Sequence, residues 1–555
     1  MRWLWIAIST SVLAGAAVGM IESLTILMST GAGEYDALFW GTMVYAIAGL
    51  GMGLLLYPFW VFWSWFKARP QSTVWSTLFV STMVLLQGAA SYGGWQWQWM
   101  WLWLGLAPIG VWLCDILLSR TPLKVLPQRR GTAAMLFFLL LVTGVFSLTP
   151  SRPLPPLKPE QTNQPRPSIL LLMIDGLRSD HLQVGISPAL DRLIQDGIYF
   201  DHAFSHAPVS APSVAALLSS ESQVHAAPLE ARHFLLSEVL LQHGYYTSAV
   251  VNHISLGRFS NFHQGFSQFQ FLPPESPVAF TEGTRRLRLI ERLLAWWSMR
   301  GAPRPEKQYR PAHDVMLQVQ QQIMRHRDQR WFVMAQLRDT QEPLYVQGAH
   351  GVYHPPIWVR QQNMPDVYRA YVAELRRVDD ALGALVAWLR QQNMYDELVI
   401  VVTASHATAL KSSHALGPSP HRERLQVPLI IKMPHGQGAG TQSARPVQLQ
   451  DIAPTLAQSV GVQRPERWQG TDILAEEFQR SKEPRPIFAA YDAPQAGWAM
   501  VQHRGWKLVR HQRSHQPEML YDLRQDPDER ENVLGTHQEV YSELSMLLQQ
   551  MERHE

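Results

Sequence analysis

The stretch Ser168-Ile-Leu-Leu-Leu-Met-Ile-Asp-Gly-Leu-Arg-Ser-Asp180 organises the chain around it. Six apolar residues, Ile169 to Ile174, run without polar alternation, as a strand buried on both faces of a parallel sheet does. Asp175 follows at once. Ligands of open α/β sheets sit at the carboxyl ends of the strands, so a carboxylate there suits a metal or a reacting group. An aspartate that caps the next turn reads equally well from this stretch alone.

Outward from that strand, composition divides the molecule. A chain of 555 residues exceeds what one core can serve, so more than one domain is expected. Hydrophobic residues make up 46% and crowd into the first 150 positions. The net charge of +3 leaves no electrostatic footprint for nucleic acid. Cys114, the single cysteine, falls in an apolar run, so the polar part has no disulfide, thiolate metal site or cysteine nucleophile.

Residues 1–149 contain five apolar segments long enough, or nearly so, to cross a bilayer: Trp3–Met28, Leu38–Phe66, Val74–Tyr92, Trp99–Leu118 and Gly131–Thr149. Arg2, then Lys67 and Arg69, then Arg120, Lys124, Arg129 and Arg130 occupy alternate connections, whereas the two other loops carry no Lys or Arg. The positive-inside rule therefore predicts an inner-membrane anchor with everything after Thr149 outside the cytoplasm, in the periplasm. Tryptophans at the segment ends suit headgroup anchoring, and Glu22 and Asp115 lie near enough to segment ends to reach the interface. No span carries the polar run of a transport pathway, which disfavours a transporter. The Pro-rich stretch 150–167 predicts an extended spacer.

Residues 168–484 read as alternating strands and helices. Ser187-Pro-Ala-Leu starts a helix that stops at Gly197, with Ser187 as its cap, and the strand Ile198–Phe204 follows. A helix beginning near Pro212 puts Ser210 at its N-terminus, as a cap or as an oxygen favoured by the free N–H groups there. Helix Ala231–His243, strand Tyr246–Val251, helix Ala312–Arg327, strand Trp331–Leu337, helix Val367–Gln391 and strands Glu397–Thr403 and Val427–Met433 continue the pattern. It predicts a mostly parallel sheet with helices on both faces. Thr403-Ala-Ser-His406 closes one strand at a carboxyl edge. Residues 485–555 predict a small C-terminal subdomain ending in an amphipathic helix, Gln538–Met551. The basic amphipathic segment Thr284–Arg300 fits packing on its own domain or lying on a bilayer.

Taken together the motifs resemble the sulfatase family of the alkaline-phosphatase superfamily. Ile174-Asp-Gly-Leu-Arg-Ser-Asp-His181 resembles its opening metal-binding strand, and Pro208-Val-Ser-Ala-Pro-Ser-Val-Ala-Ala-Leu-Leu218 its nucleophile segment. Leu240-Leu-Gln-His-Gly-Tyr-Tyr-Thr-Ser-Ala249, Val378-Asp-Asp-Ala-Leu-Gly383, Val427-Pro-Leu-Ile-Ile-Lys432 and Asp451-Ile-Ala-Pro-Thr-Leu456 follow in the family's order. So does Leu520-Tyr-Asp-Leu-Arg-Gln-Asp-Pro-Asp-Glu-Arg-Glu-Asn532. The resemblance implies a sulfatase-like α/β domain that cleaves or transfers sulfate or phosphate esters. By that resemblance Ser210 is the nucleophile, Asp175 and His406 are metal ligands, and calcium is the expected cation.

Several positions depart from the family. Gly176 stands where a second Asp is expected, Val214 where an Arg follows Pro-Ser, Gln341 in place of a histidine and Ser405 in place of an Asp. The sulfate-holding lysine has no counterpart, which leaves His414 and His421 as candidate substrate contacts. Loss of carboxylates weakens calcium binding. Zinc would require His350, His354, His414 or His421 to rebuild the site, and the remaining alternative is no metal at all. Two functional readings follow. One is a membrane-anchored hydrolase or transferase acting on sulfate or phosphate esters of lipid headgroups or envelope glycans. The other is an inactive relative that binds an anionic lipid or glycan as a sensor or assembly factor.

Overall fold

The computed structural model describes residues 166–553 except 184, 223–228, 231, 275–308, 342–343, 345–363, 411–417, 482, 493–496 and 513–516, with a helical piece at 43–45 and 47. The chain divides into two compact units, and the one formed by Pro156–Pro277 and Ser298–Glu555 carries nearly all the described residues. The five expected spans and the segment Thr284–Arg300 lie outside the described residues, save for that helical piece. Among the described residues no helix is long and apolar enough to cross a membrane.

The sheet forms as the apolar runs dictate. Strands β1 (Ile169–Ile174), β2 (Ile198–Phe204), β3 (Tyr246–Val251), β4 (Gln268–Phe271), β5 (Trp331–Leu337), β6 (Val399–Thr403), β7 (Gln426–Lys432) and β8 (Thr441–Ser443) line up as β4-β3-β5-β1-β6-β7-β2-β8, and β9 (Val447–Gln448) also pairs with β2. All neighbours are parallel except β7, which runs antiparallel to both β6 and β2. Every residue of β1, β5 and β6 is buried, which is why these strands are apolar almost throughout, Gln336 and Thr403 excepted, rather than alternating.

Helices α1 (Pro188–Asp196), α2 (Ser210–Ser219), α3 (Leu236–Gln242), α4 (Ala312–Arg325) and α5 (Met364–Gln391) fall within the expected segments to within a turn or so. The start of α1 is not held as the sequence suggests. Ser187 makes no capping hydrogen bond; instead Asp379 of α5 accepts from the N–H groups of Ala189 (2.9 Å) and Leu190 (2.8 Å). A carboxylate answers the helix dipole better than a neutral hydroxyl, and it ties α1 to α5.

The C-terminal region builds its own antiparallel sheet, β10 (Ile487–Tyr491), β11 (Trp498–His503), β12 (Trp506–His511) and β13 (Met519–Asp522), in that order. The final helix, Gln538–Arg553, packs Leu544 and Leu548 against Val501, Leu508 and Leu520. A buried ion pair within this region holds the segment 420–422 that precedes β7. Lys507 Nζ donates to both oxygens of Glu529 (2.8 and 2.9 Å) and to the carbonyl of Pro420 (2.6 Å).

Candidate active site

Strand order explains the site. β1 lies between β5 and β6, so the segments leaving their carboxyl ends meet above the sheet. Met173 and Ile174 pair with Gln336 and Leu337, and Met173 pairs with Thr403. Beyond the strands, Gly176 bridges Ala407, with the Gly176 N–H donating to His406 O (2.9 Å) and the Thr408 N–H to Gly176 O (3.1 Å). The side chains of Asp175, Gln336, Ser405 and His406 are thereby brought together.

Asp175 is the hub. Its Oδ2 accepts from Ser210 Oγ (2.8 Å) and from Gln336 Nε2 (2.6 Å), and its Oδ1 accepts from Ser405 Oγ. It caps no turn. Ser405 Oγ also lies 3.0 Å from His406 Nδ1. A hydroxyl has one proton; Ser405 gives it to Asp175, so His406 Nδ1 must donate to Ser405 Oγ. The result is a continuous chain of hydrogen bonds, Ser210 to Asp175 and His406 through Ser405 to Asp175. All four residues are buried.

Ser210 is the first residue of α2, and its N-cap is Val209. Its hydroxyl therefore faces Asp175 rather than capping the helix. The first-turn N–H groups and the positive end of the helix dipole lie beside it, which favours an anion at the serine oxygen.

Burial pushes the Asp175 carboxyl above its ordinary range, and the hydrogen bonds from Ser405, Ser210 and Gln336 and the charge of Arg338 only partly offset this. A raised pKa makes Asp175 a better proton acceptor. Burial first, then Arg424 and Arg338, depress His406 to about 3, so its ring is neutral.

The departures from the family are placed as follows. Gly176 has φ +85°, and a Cβ built there would lie 2.3 Å from Thr340 O. Val214 is buried in the core face of α2. Gln341 turns back to accept from Arg338 Nε (3.1 Å), so it is committed to its own turn. His421 is held in the seam to the C-terminal sheet, Nδ1 to Glu529 Oε2 at 3.0 Å, and lines a polar cleft of about 740 Å³ with Arg178, Asp180, Arg422 and Arg530. His350, His354 and His414 lie outside the described residues.

Sequence reasoning passed over Gln336, Arg338 and Thr340. Thr340 Oγ1 donates to Asp175 O (2.7 Å) and orients the hub from behind. Gln336 had a signal: it is the lone polar residue in the otherwise apolar strand Trp331–Leu337. A buried amide there needs partners, and it finds them in Asp175 and in the N–H of Asn252 (3.2 Å to Oε1).

Among the described residues the donor set does not fit a divalent cation. Hard cations take several charged oxygens, whereas this cluster offers one carboxylate whose oxygens already accept three hydrogen bonds. Among the described residues no three His, Cys, Asp or Glu side chains converge in the manner of a metal site.

Comparison with known proteins places the chain. It is 25% identical over 201 residues to arylsulfatase K of Bos taurus and 27% identical over 209 residues to N-acetylglucosamine-6-O-sulfatase of Bacteroides thetaiotaomicron. These alignments cover 34% and 35% of this chain and 37% of either relative, so the chain spans little more than a third of their length. A phosphonate monoester hydrolase of Agrobacterium radiobacter shares the fold, with TM-score 0.56 and 20% identity over 70% of this chain and 96% of that one. The model described as N-sulphoglucosamine sulphohydrolase, C-terminal, matches residues 420–554. The Sulfatase family model matches residues 167–462, more than half of the chain, over the strands and helices that build the Asp175 cluster: the chain belongs to the sulfatase family, within the alkaline-phosphatase superfamily.

Proposed function

We propose that this protein is a membrane-anchored hydrolase or transferase of the sulfatase family, with its catalytic domain outside the cytoplasm and Ser210 as its nucleophile. One observation carries the reading: Ser210 Oγ donates to the buried carboxylate of Asp175 at 2.8 Å, at a helix N-terminus. A nucleophile needs a base in hydrogen-bond reach and a third group to hold the base. Gln336, Ser405 and Thr340 hold this one.

In the proposed reaction Ser210 Oγ attacks sulfur or phosphorus and its proton passes to Asp175. The ester bond breaks, and the departing alkoxide takes a proton from solvent. Water, or a second alcohol, then attacks the same sulfur or phosphorus and gives its proton to solvent, while the bond to Ser210 Oγ breaks and the proton held on Asp175 returns to Oγ. The relatives supply the substrate classes: a glucosamine sulfatase points to a sulfated glycan, and a phosphonate monoester hydrolase to a phosphorus ester. The five apolar segments and the alternation of basic loops support an anchor that holds the domain near anionic lipid headgroups or envelope glycans.

The test is turnover of sulfate and phosphate monoesters and diesters by the full chain in mild detergent. The reading expects Ser210→Ala to lower the rate by about 100-fold or more. Equal turnover by Ser210→Ala and wild type would sink it.

A second reading, a binder of anionic lipid or glycan without turnover, is favoured by a different observation. Ser210 and His406 are only 3% exposed and Asp175 and Ser405 are 0% exposed, so the cluster is closed. It predicts that wild type and Ser210→Ala retain such ligands with equal affinity and that neither cleaves them.

A further inference from the structure

We infer that the Asp175 pocket of this chain is closed by a proton network and flanking guanidinium charge in place of the divalent metal ion used by its family. The inference concerns what occupies the pocket, and it stands whether or not Ser210 turns over an ester.

The orientation of Gln336 is the strongest argument. The Asn252 N–H donates to Gln336 Oε1 at 3.2 Å, and that N–H is buried, so the amide oxygen is needed there. Only Nε2 is left to face Asp175, and it sits 2.6 Å from Oδ2. A metal ligand must present a lone pair. Here the backbone N–H of Asn252, just past the end of β3, obliges Gln336 to present protons, the wrong polarity for a cation at Oδ2.

The same logic applies at Oδ1. Ser405 holds the place of a family carboxylate with a neutral hydroxyl, and its single proton is committed to Asp175. Behind the hub, the close approach of Thr340 O to Gly176 bars any side chain at the position of a second acid. Among the described residues, two missing carboxylates leave one negative charge to oppose two positive charges on a metal ion, in a buried place where imbalance is costly.

The surrounding charge points the same way. Arg338 acts on Asp175, and Arg338 and Arg424 both act on His406. Arg338 leaves the carboxyl end of β5, beside β1, and the Arg424 carbonyl accepts the N–H of Ala407, next to His406. Guanidinium groups there repel a dication and attract an oxyanion. The pocket thus keeps the positive charge that an anionic ester needs while dispensing with the metal that supplied it.

Elemental analysis of the full chain tests this, after gel filtration in detergent from buffer replete with calcium, magnesium, manganese and zinc. Far less than one equivalent of each metal per chain is expected, with a melting temperature unchanged between EDTA and millimolar calcium. Ser405→Asp should install calcium dependence: it melts lower than wild type in EDTA and rises by about 3 °C or more when calcium is added. About one equivalent of any of these metals in wild type, lost in His406→Ala, overturns the inference. So does a calcium-induced rise in wild type equal to that of Ser405→Asp. If Ser405→Asp does not fold, the metal content of wild type still decides.

Discussion

Gly176 and Thr340 approach so closely that no side chain fits between them. A Cβ at position 176 would lie 2.3 Å from Thr340 O and 2.5 Å from Thr408 Oγ1, and the backbone there has φ +85°. The position that carries an acid in the family is therefore closed by the backbone itself. Gly176→Asp is expected to cost about 3 kcal/mol or more, from strain at positive φ and overpacking together. Thermal unfolding checks this; a variant as stable as wild type would show that the segment relaxes.

Asp379 replaces Ser187 as the cap of α1, through its bonds to the Ala189 and Leu190 N–H groups. Asp379→Ala should destabilise by about 1–2 kcal/mol, as loss of an N-cap does, while Ser187→Ala should stay within about 0.5 kcal/mol of wild type. Equal losses in chemical denaturation would return the capping role to the serine.

The pair Lys507–Glu529 is 1% exposed on either side, and Lys507 and His421 hold the Glu529 carboxyl down at about 2. Removing one partner strands a buried charge, so Glu529→Gln and Lys507→Met should each cost about 3–5 kcal/mol. The double variant should lose less than the two single losses added together. A double-mutant cycle with no coupling would refute this.

Stability should fall in acid in two stages. Burial pushes His206 down to about 4 from an ordinary 6.5, so its neutral ring is preferred in the fold. Its contribution is complete above pH 6.5 and is lost as pH falls through 4, roughly 3 kcal/mol in all. Glu529, lowered from 4.5 to about 2, contributes fully above pH 4.5 and loses that contribution as pH falls through 2. Melting temperatures of wild type and His206→Gln across this range separate the stages. The variant should lose only part of the slope between pH 6.5 and 4, because the buried neutral ring of His406, lowered to about 3, acts in the same direction there, and it should keep the slope below.

Much of the fold was legible because burial on both faces of a sheet leaves an unmistakable mark. Ile169–Ile174, Trp331–Leu337 and the Val399–Thr403 core of the predicted Glu397–Thr403 strand are predominantly apolar runs, and each is a central strand. The meeting of Asp175, Ser210 and His406 was legible only through the resemblance of their segments to the family's motifs, since the local pattern read Asp175 and Ser210 equally as caps. Gln336 was not assigned, because a glutamine inside a strand names no partner until the neighbouring strand is known.

By itself the sequence determined the alternation of strands and helices and the mostly parallel class of the main sheet. These rest on local periodicity, which a strand or helix carries within its own residues. Tertiary structure alone decided that β5 lies beside β1, so that Gln336 turns its amide protons on Asp175. It also decided that Asp379, rather than Ser187, caps α1, and that Gly176 is sealed by Thr340. Those are contacts between residues 160 or more positions apart, set by how strands order and helices pack, and no local pattern encodes them.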